Sequence, residues 1–400
     1  MIILGGLAAL GPFSIEMYLP AFPELARDFD TSASEVQLTL TAFLVSLGLG
    51  QLLAGAVSDA RGRRLPVVVG LGAYVGASLL CALAPSVYAL VLFRLAQGVA
   101  AAAGVVTSRA VVRDLYTGAA AARFFSLLML VNGLGPILAP LLGSLILRFT
   151  SWRGVFCVLA ALGAMLLLAC RLGLPETLPP ERRRTGGVAQ TTRGLAELAR
   201  DRVFVGYALA LGLSVGSVFA YIAGSSFVLQ DIHGLSPQQF AVFFGVNGVG
   251  IVAVSQVNGF LVRSIAPRRL LIAGLGSMAC GGLALLAVVA LGGGLSALLP
   301  SLFVVVASVG FVLPNATALA LADHPHVAGS ASALLGVTQF LVGAAAAPLV
   351  GIAGSHSAWP MAVIIAFLGL SALTAVTTLT HAPSPVAESR ARRIERGGRY

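Results

Sequence analysis

Glu16 is the residue whose type and setting most directly imply chemistry. It lies in an otherwise uncharged, apolar opening stretch, Ile2 to Pro23, of a chain with almost no other acid inside its hydrophobic segments. A carboxylate in hydrocarbon costs several kcal/mol, so it is tolerated where it faces a bundle interior or water and has a task. The task open to a lone intramembrane acid is to bind and release a proton or a cation. Arg94, in LFRLAQG, is the only basic residue inside an apolar segment, and it sits at a depth like that of Glu16. That match predicts a Glu16–Arg94 interaction, direct or through water. A nearby guanidinium would favour the ionised carboxylate and desolvation the protonated one, so opening and closing a cavity would shift proton affinity. A purely structural buried ion pair is the alternative reading.

Two other motifs carry spacing information. In GAVSDARGRR, Gly55 to Arg64, Gly62 supplies a tight turn, and Asp59 is placed to accept from Arg63, Arg64 or a helix N-terminus. A plain basic turn is the simpler alternative. In NGLGPILAPLLGS, Asn132 to Ser144, Gly133, Gly135 and Gly143 permit close helix approach. Pro136 and Pro140 interrupt backbone bonding and permit a bend. A cavity for a drug-sized molecule is mostly apolar with a few orienting polar groups. Candidate lining residues are Phe13, Tyr18, Phe43 and Asn132 in the first half, and Tyr221, Phe227, Asn247, Asn315 and Gln339 in the second.

Other reactive residue types carry less. Arg109, Arg113 and Asp114 read as solvated loop charges rather than a gate, and His324 and His326, flanking Pro325, as a polar turn. Cys81, Cys157, Cys170 and Cys280 all fall in apolar stretches without paired loop spacing and read as packing residues. No metal or organic cofactor is expected; the proton is the coupling ion. No Ser/His/Asp set, HExxH or phosphate loop is present, which argues against an enzyme.

The elements that must position these residues follow from composition. Of 400 residues, 58% are hydrophobic and 10% charged, too few charges to cover a soluble globule. Mean hydropathy is +0.95. Apolar runs near 20 residues indicate an all-α membrane protein rather than a barrel. Windows place twelve spans near 2–22, 37–57, 66–85, 88–108, 124–147, 152–173, 203–228, 238–261, 269–291, 295–320, 328–354 and 358–380. The opening stretch lacks a basic n-region and is expected to be a retained helix, not a signal peptide.

All 25 basic residues are arginine, and they alternate between loops. One set of loops carries Arg61, Arg63, Arg64, Arg109, Arg113, Arg123, the arginines from 171 to 202, Arg263, Arg268 and Arg269; the other holds only Arg27, Arg148 and Arg153. This asymmetry predicts both termini in the cytoplasm. The net charge of +10 is thus an orientation signal, and no nucleic-acid partner is expected. Segment 174–202 reads as a cytoplasmic linker between bundles at 1–173 and 203–380, with 381–400 a basic, lipid-facing tail. The halves echo each other at an offset of about 204 residues: Gly55 and Arg63 find Gly259 and Arg268, Tyr18 finds Tyr221, and Trp152 finds Trp359.

These motifs resemble the major facilitator superfamily, first in the G-x-x-x-D-x-x-G-R-R loop from Gly55 to Arg64. The resemblance implies two pseudo-symmetric six-helix bundles, with that loop acting as a cytoplasmic latch on one alternating-access state. Arg94, Gln97 and Gly98 match the family's R-x-x-Q-G motif, which the resemblance assigns to proton coupling. The G-P-x-x-x-P-x-x-G run resembles the antiporter signature of drug:H+ exporters. At finer grain SIEMYLPAFPELARDF, SRAVVRDLY, SWRGVF, LPETLPPERR and SAWPM resemble the Bcr/CflA group, the bicyclomycin- and chloramphenicol-resistance type. Where that group usually has Asp, this chain has Glu16. The resemblance implies a monomeric, proton-coupled exporter of hydrophobic antibiotic-like molecules in the bacterial cytoplasmic membrane. Proton symport of a small metabolite on the same fold is the alternative.

Overall fold

The computed structural model describes residues 2–116, 118–179, 181, 183, 198–322, 324, 328–354 and 356–380. Much of the expected linker, the whole basic tail and His326 lie outside them. The first half contains α1 (Ile2–Glu16), α2 (Phe22–Asp28), α3 (Ala33–Arg61), α4 (Arg64–Ala82), α5 (Val87–Leu115), α6 (Gly118–Ile146) and α7 (Trp152–Gly173). The second contains α8 (Arg202–Phe227), α9 (Pro237–Leu261), α10 (Pro267–Ala290), α11 (Leu295–Ala307), α12 (Val309–Ala322), α13 (Ala328–Val350) and α14 (Trp359–Leu379). No strand occurs among the described residues. Among the described residues, eleven helical stretches are long and apolar enough to cross a membrane, and Leu130–Ile146, within α6, is a shorter apolar one.

Helix starts follow local sequence. Ser32 and Glu35 form a capping box at α3, and Ser236 and Gln239 form one at α9. Each satisfies two backbone N–H groups that helix geometry leaves open. The two boxes sit at equivalent places in the halves, a repeat more specific than the scattered matches that first suggested duplication. Three spans depart from a straight rod. The first ends at Glu16 and turns through Leu19–Ala21 into α2. The seventh runs on from α8 into a wide turn at Val228–Ile232. The span expected as continuous over 295–320 breaks at Ser308 into α11 and α12.

Helices α1 to α7 pack chiefly with one another, as do α8 to α14; the halves meet along α3 against α13 and α6 against α9. Large apolar side chains such as Leu53, Val69, Leu92, Phe260 and Phe367 stand exposed on the outside, where lipid would cover them. Cys81 and Cys170 are buried as packing residues, whereas Cys157 and Cys280 are exposed, a correction to the reading of all four as packing residues.

Among the described residues, six side-chain hydrogen bonds tie one half to the other, all at the arginine-poor end. Ser34 donates to the Pro348 carbonyl at 3.0 Å, Gln37 to Ala223 at 3.0 Å and Thr41 to Ala344 at 3.0 Å. From the second half, Ser226 donates to Leu19 at 2.6 Å, Gln230 to Pro20 at 3.2 Å and Gln238 to Ser144 at 3.0 Å. Among the described residues, no side-chain hydrogen bond joins the halves at the arginine-rich end. The halves are therefore clasped at one end only.

Candidate functional site

The turn that ends α1 decides which way its polar residues point. Ser14 bonds the hydroxyl of Tyr74 on α4 at 2.7 Å, and Tyr18 bonds that of Thr39 on α3 at 3.1 Å. Residues four apart share a helix face, so both look into the first bundle. Glu16, two residues on from Ser14 at the end of α1, lies about 200° around the helix from it and so faces away from that side. It is 6% exposed. Its Oε2 is buried and has no hydrogen-bond partner. Pro12 and Met17 are contacted by α6: a methyl on Gly135 would stand 2.6 Å from Pro12 Cβ, and one on Gly143 would collide with the Met17 carbonyl. Those two glycines bring α6 directly against the stretch that bears Glu16. Gly133 instead faces Val252 of the second half, and Pro136 and Pro140 lie inside α6.

Arg94 does not pair with Glu16, and this corrects the expectation from their matching depths. No ion pair or hydrogen bond joins them. Depth along two helices says nothing about rotation, and Glu16 is turned away from α5. Arg94 is fully buried inside the first bundle. Its guanidinium lies 4.5 Å from the Tyr18 ring centroid and 4.2 Å from that of Phe43. Nη1 donates to Gln97 at 2.7 Å, and Nε donates to the Thr39 carbonyl at 3.3 Å. Gln97 in turn donates to Ser78 at 2.8 Å, tying α5 to α4. Ring faces and neutral dipoles, not a carboxylate, hold this cation; desolvated cation–π contacts are worth about 2 kcal/mol.

Tyr18 and Phe43 are therefore walls of the arginine cage, not lining of the space between the halves. Asn315 is likewise internal: it donates to Asn258 of α9 at 2.6 Å within the second bundle. Phe227 packs against Phe22 across the clasped end, with ring centroids 5.9 Å apart. Phe13, Asn132 and Gln339 are half-buried. Tyr221 and Asn247 form a buried pair, Asn247 donating to the Tyr221 hydroxyl at 2.9 Å, with Tyr221 stacked on Phe244.

The Gly55–Arg64 loop forms a charge cluster confined to the first half. Gly62 has φ +93°, and a methyl there would collide with Glu176; the left-handed backbone and the close approach both require glycine. Arg63 pairs with Asp59 at 2.5 Å and with Asp114 at 2.7 Å. Asp114 thus belongs to this cluster and is not a solvated loop charge, while Arg109 and Arg113 are exposed but stand on the last turns of α5 and not in a loop. Gly55 packs loosely, 3.9 Å from Val106 for an added methyl. Arg64 donates to the Arg171 carbonyl at 2.7 Å. Glu176, just past α7, accepts from the backbone N–H groups of Arg63 at 2.8 Å and Arg64 at 3.2 Å. Burial would raise its pKa, but those bonds, that from Leu178 and the nearby Arg183 outweigh it and hold it below the ordinary value. Glu176 had no assigned role in the sequence, although it stands in the quoted LPETLPPERR. His324 pairs with Asp201, the N-cap of α8, at 3.0 Å.

A family model described as Major Facilitator Superfamily matches residues 4–348. The chain belongs to the Major Facilitator Superfamily. Among its major facilitator relatives, an uncharacterized MFS-type transporter, YdgK, of Bacillus subtilis is 43% identical, covering 92% of this chain and 94% of that one. A bicyclomycin resistance protein homolog of Haemophilus influenzae is 32% identical, covering 90% and 91%. A chloramphenicol resistance protein of Pseudomonas aeruginosa is 30% identical, covering 94% and 90%. These relatives support the drug-efflux type of major facilitator. Among solved structures, the nucleoside transporter NupG superposes with a TM-score of 0.76 at 14% identity, covering 95% of this chain and 98% of that one. A partially occluded inward-open form of the xylose transporter XylE of E. coli gives 0.74 at 16%, covering 95% and 97%. Those likenesses establish the two-bundle fold. The protein is a multi-pass membrane transporter of small molecules and not an enzyme.

Proposed function

We propose that this protein exports small, hydrophobic, drug-like molecules across the bacterial cytoplasmic membrane in exchange for protons, with Glu16 as the proton carrier. The observation that carries the reading is a buried carboxyl with an unpartnered oxygen, three residues before the Leu19 carbonyl that Ser226 of the second half bonds. An acid so placed is neutral when shut away from water and ionises when a cavity admits it. The arginine-rich loops argue that the unclasped end faces the cytoplasm, with both termini inside. The clasped arrangement is then the inward-facing state, in which Glu16 gives its proton to the cytoplasm as cargo enters. After the halves rock, Glu16 reloads from outside as cargo leaves. One such acid implies about one proton per cycle, and with neutral cargo the membrane potential contributes about 2.3 kcal/mol per 100 mV. The Gly55–Arg64 cluster is read as a latch, disengaged from the second half in this state. The relatives named for bicyclomycin and chloramphenicol resistance support apolar cargo, and a monomer suffices for the cycle.

The test is transport of chloramphenicol and bicyclomycin into everted membrane vesicles of a pump-deficient host, with an imposed pH gradient. Gradient-driven accumulation is expected in the wild type and absent in Glu16→Gln. Full proton-coupled accumulation in that variant would remove Glu16 from the mechanism, and accumulation only in right-side-out vesicles would establish uptake instead.

A further inference from the structure

We propose that the arginine-rich end of the first bundle carries a binding site for one anionic glycerophospholipid, its phosphate held by Arg64, Arg171 and Arg183 between α4 and α7 and its acyl chains laid along α4.

The site is a groove of about 510 Å³ lined by Arg64, Leu65, Val68, Arg171, Glu176 and Arg183. Arg64 opens α4, Arg171 stands in the last turn of α7, and Glu176 and Arg183 follow α7. Three cations against one acid leave a surplus of two positive charges. The acid is already committed: Oε1 of Glu176 accepts from the backbone N–H groups of Arg63 and Leu178, and Oε2 from that of Arg64. The neighbouring acids Asp59 and Asp114 are both taken by Arg63, and Glu181 is exposed and does not line the groove. Among the described residues, no carboxylate forms an ion pair with Arg64, Arg171 or Arg183. Arg64 Nη2 donates to the Arg171 carbonyl, and Arg183 keeps a buried Nε without a partner. Guanidinium forks in surplus, with donors still to give, match the oxygens of a phosphate.

The walls set the other end of the ligand. Leu65 is 55% exposed and Val69 61%. Further along α4, Gly72 and Gly76 are exposed, and nothing lies within 4 Å of where a methyl on either would sit. Positions 65, 72 and 76 fall within about 40° of one another around the helix, so an open furrow runs from the arginines about 16 Å into the membrane. That is close to the depth of one leaflet's hydrocarbon, about 15 Å. A ligand anionic at one end and apolar over that length is a phospholipid. A soluble phosphate would leave the furrow bare, and a zwitterionic head group brings a cation that the surplus charge opposes. Segment 184–197 of the chain carries Arg184 and Arg193 against Glu197, so it does not supply the missing negative charge. A groove of about 490 Å³ between α8 and α14, lined by Leu213, Phe367 and Thr374 among others, has no charged side chain and offers no such choice of head group. A lipid held by the three arginines joins the start of α4 to the end of α7 and braces the Gly55–Arg64 cluster from outside.

The test needs no transport. Full-length protein stripped of lipid in detergent is titrated with phosphatidylglycerol, with phosphatidylethanolamine of the same chains and with glycerol 3-phosphate, and binding is counted by native mass spectrometry. One tight equivalent of phosphatidylglycerol is expected, with the other two compounds about tenfold weaker or more. Arg171→Gln/Arg183→Gln is expected to weaken that equivalent on the order of thirtyfold. Arg268→Gln/Arg269→Gln, which removes as much charge from the second half, is expected to leave it unchanged. Phosphatidylglycerol should also raise the unfolding temperature of the wild type and of the second variant, but not of the first. Equal losses in the two variants would reduce the effect to diffuse surface charge and overturn the inference. Phosphatidylethanolamine or glycerol 3-phosphate binding as tightly as phosphatidylglycerol would overturn it as well. If the first variant does not fold, Arg171→Gln alone decides, with an expected loss of about fivefold.

Discussion

Glu16 and Arg94 are both ionisable, both buried and both on spans of the first bundle, yet their surroundings are opposite. Arg94 is enclosed by two aromatic faces, a glutamine and a backbone carbonyl, all from its own bundle. Glu16, at the end of α1, has a bare oxygen, and Arg94, for all its enclosure, keeps one bare nitrogen, Nη2. A charge whose partners all move with it cannot sense how the halves are arranged. A charge whose surroundings are divided between two moving bodies can do little else. On the proposed reading, Arg94 is architecture and Glu16 the sensor.

Arg94→Ala should have the largest effect on stability. It empties the cage between Tyr18 and Phe43 and strips Gln97 of its partner, a loss of about 3 kcal/mol or more, read as a lower unfolding temperature in detergent. The Glu16 titration should not move; a shift would show that the two groups are coupled after all and break the comparison. Glu16→Leu should act with the opposite sign. Removing an unpartnered buried polar group is expected to raise stability by about 1 kcal/mol while abolishing gradient-driven export. A destabilised variant would mean that the carboxyl has a structural partner. Glu176→Gln should cost the least, about 1 kcal/mol or less, through a weaker cap on α4. Because its folded pKa is depressed, that contribution is present above the carboxylate's unfolded value and lost as pH falls below it. The wild type should thus lose stability on acidification in a way that Glu176→Gln does not, as a thermal-shift series from pH 7 to about 3 would record.

The twelve spans were readable because membrane length and hydropathy leave little choice, and the arginine loops divide into two sets without ambiguity. Arg94 does lie beside Tyr18, two residues along from Glu16. Azimuth was not readable, because the opening helix ends at Glu16 and its hydropathy is nearly uniform around the axis, so no polar stripe marks the inner face. The same gap explains why Tyr18, Phe43 and Asn315 read as cavity residues although each is enclosed within a bundle. Asp114 and Glu176 were missed as members of the Gly55–Arg64 charge cluster because pairing between loops distant in sequence leaves no local spacing. The capping boxes at Ser32 and Ser236 were not read in advance, although Ser-x-x-Glu and Ser-x-x-Gln spell them out, and they mark the duplication better than the motifs chosen for it.

The clasp between the halves has one more property. In all six of its bonds a side chain gives the hydrogen and the main chain receives it. A carbonyl is supplied by whatever amino acid occupies a position, so each half can drift in sequence at the receiving sites without unlocking the other. Evolution is then free to reshape the interior for new cargo while the lid keeps shutting.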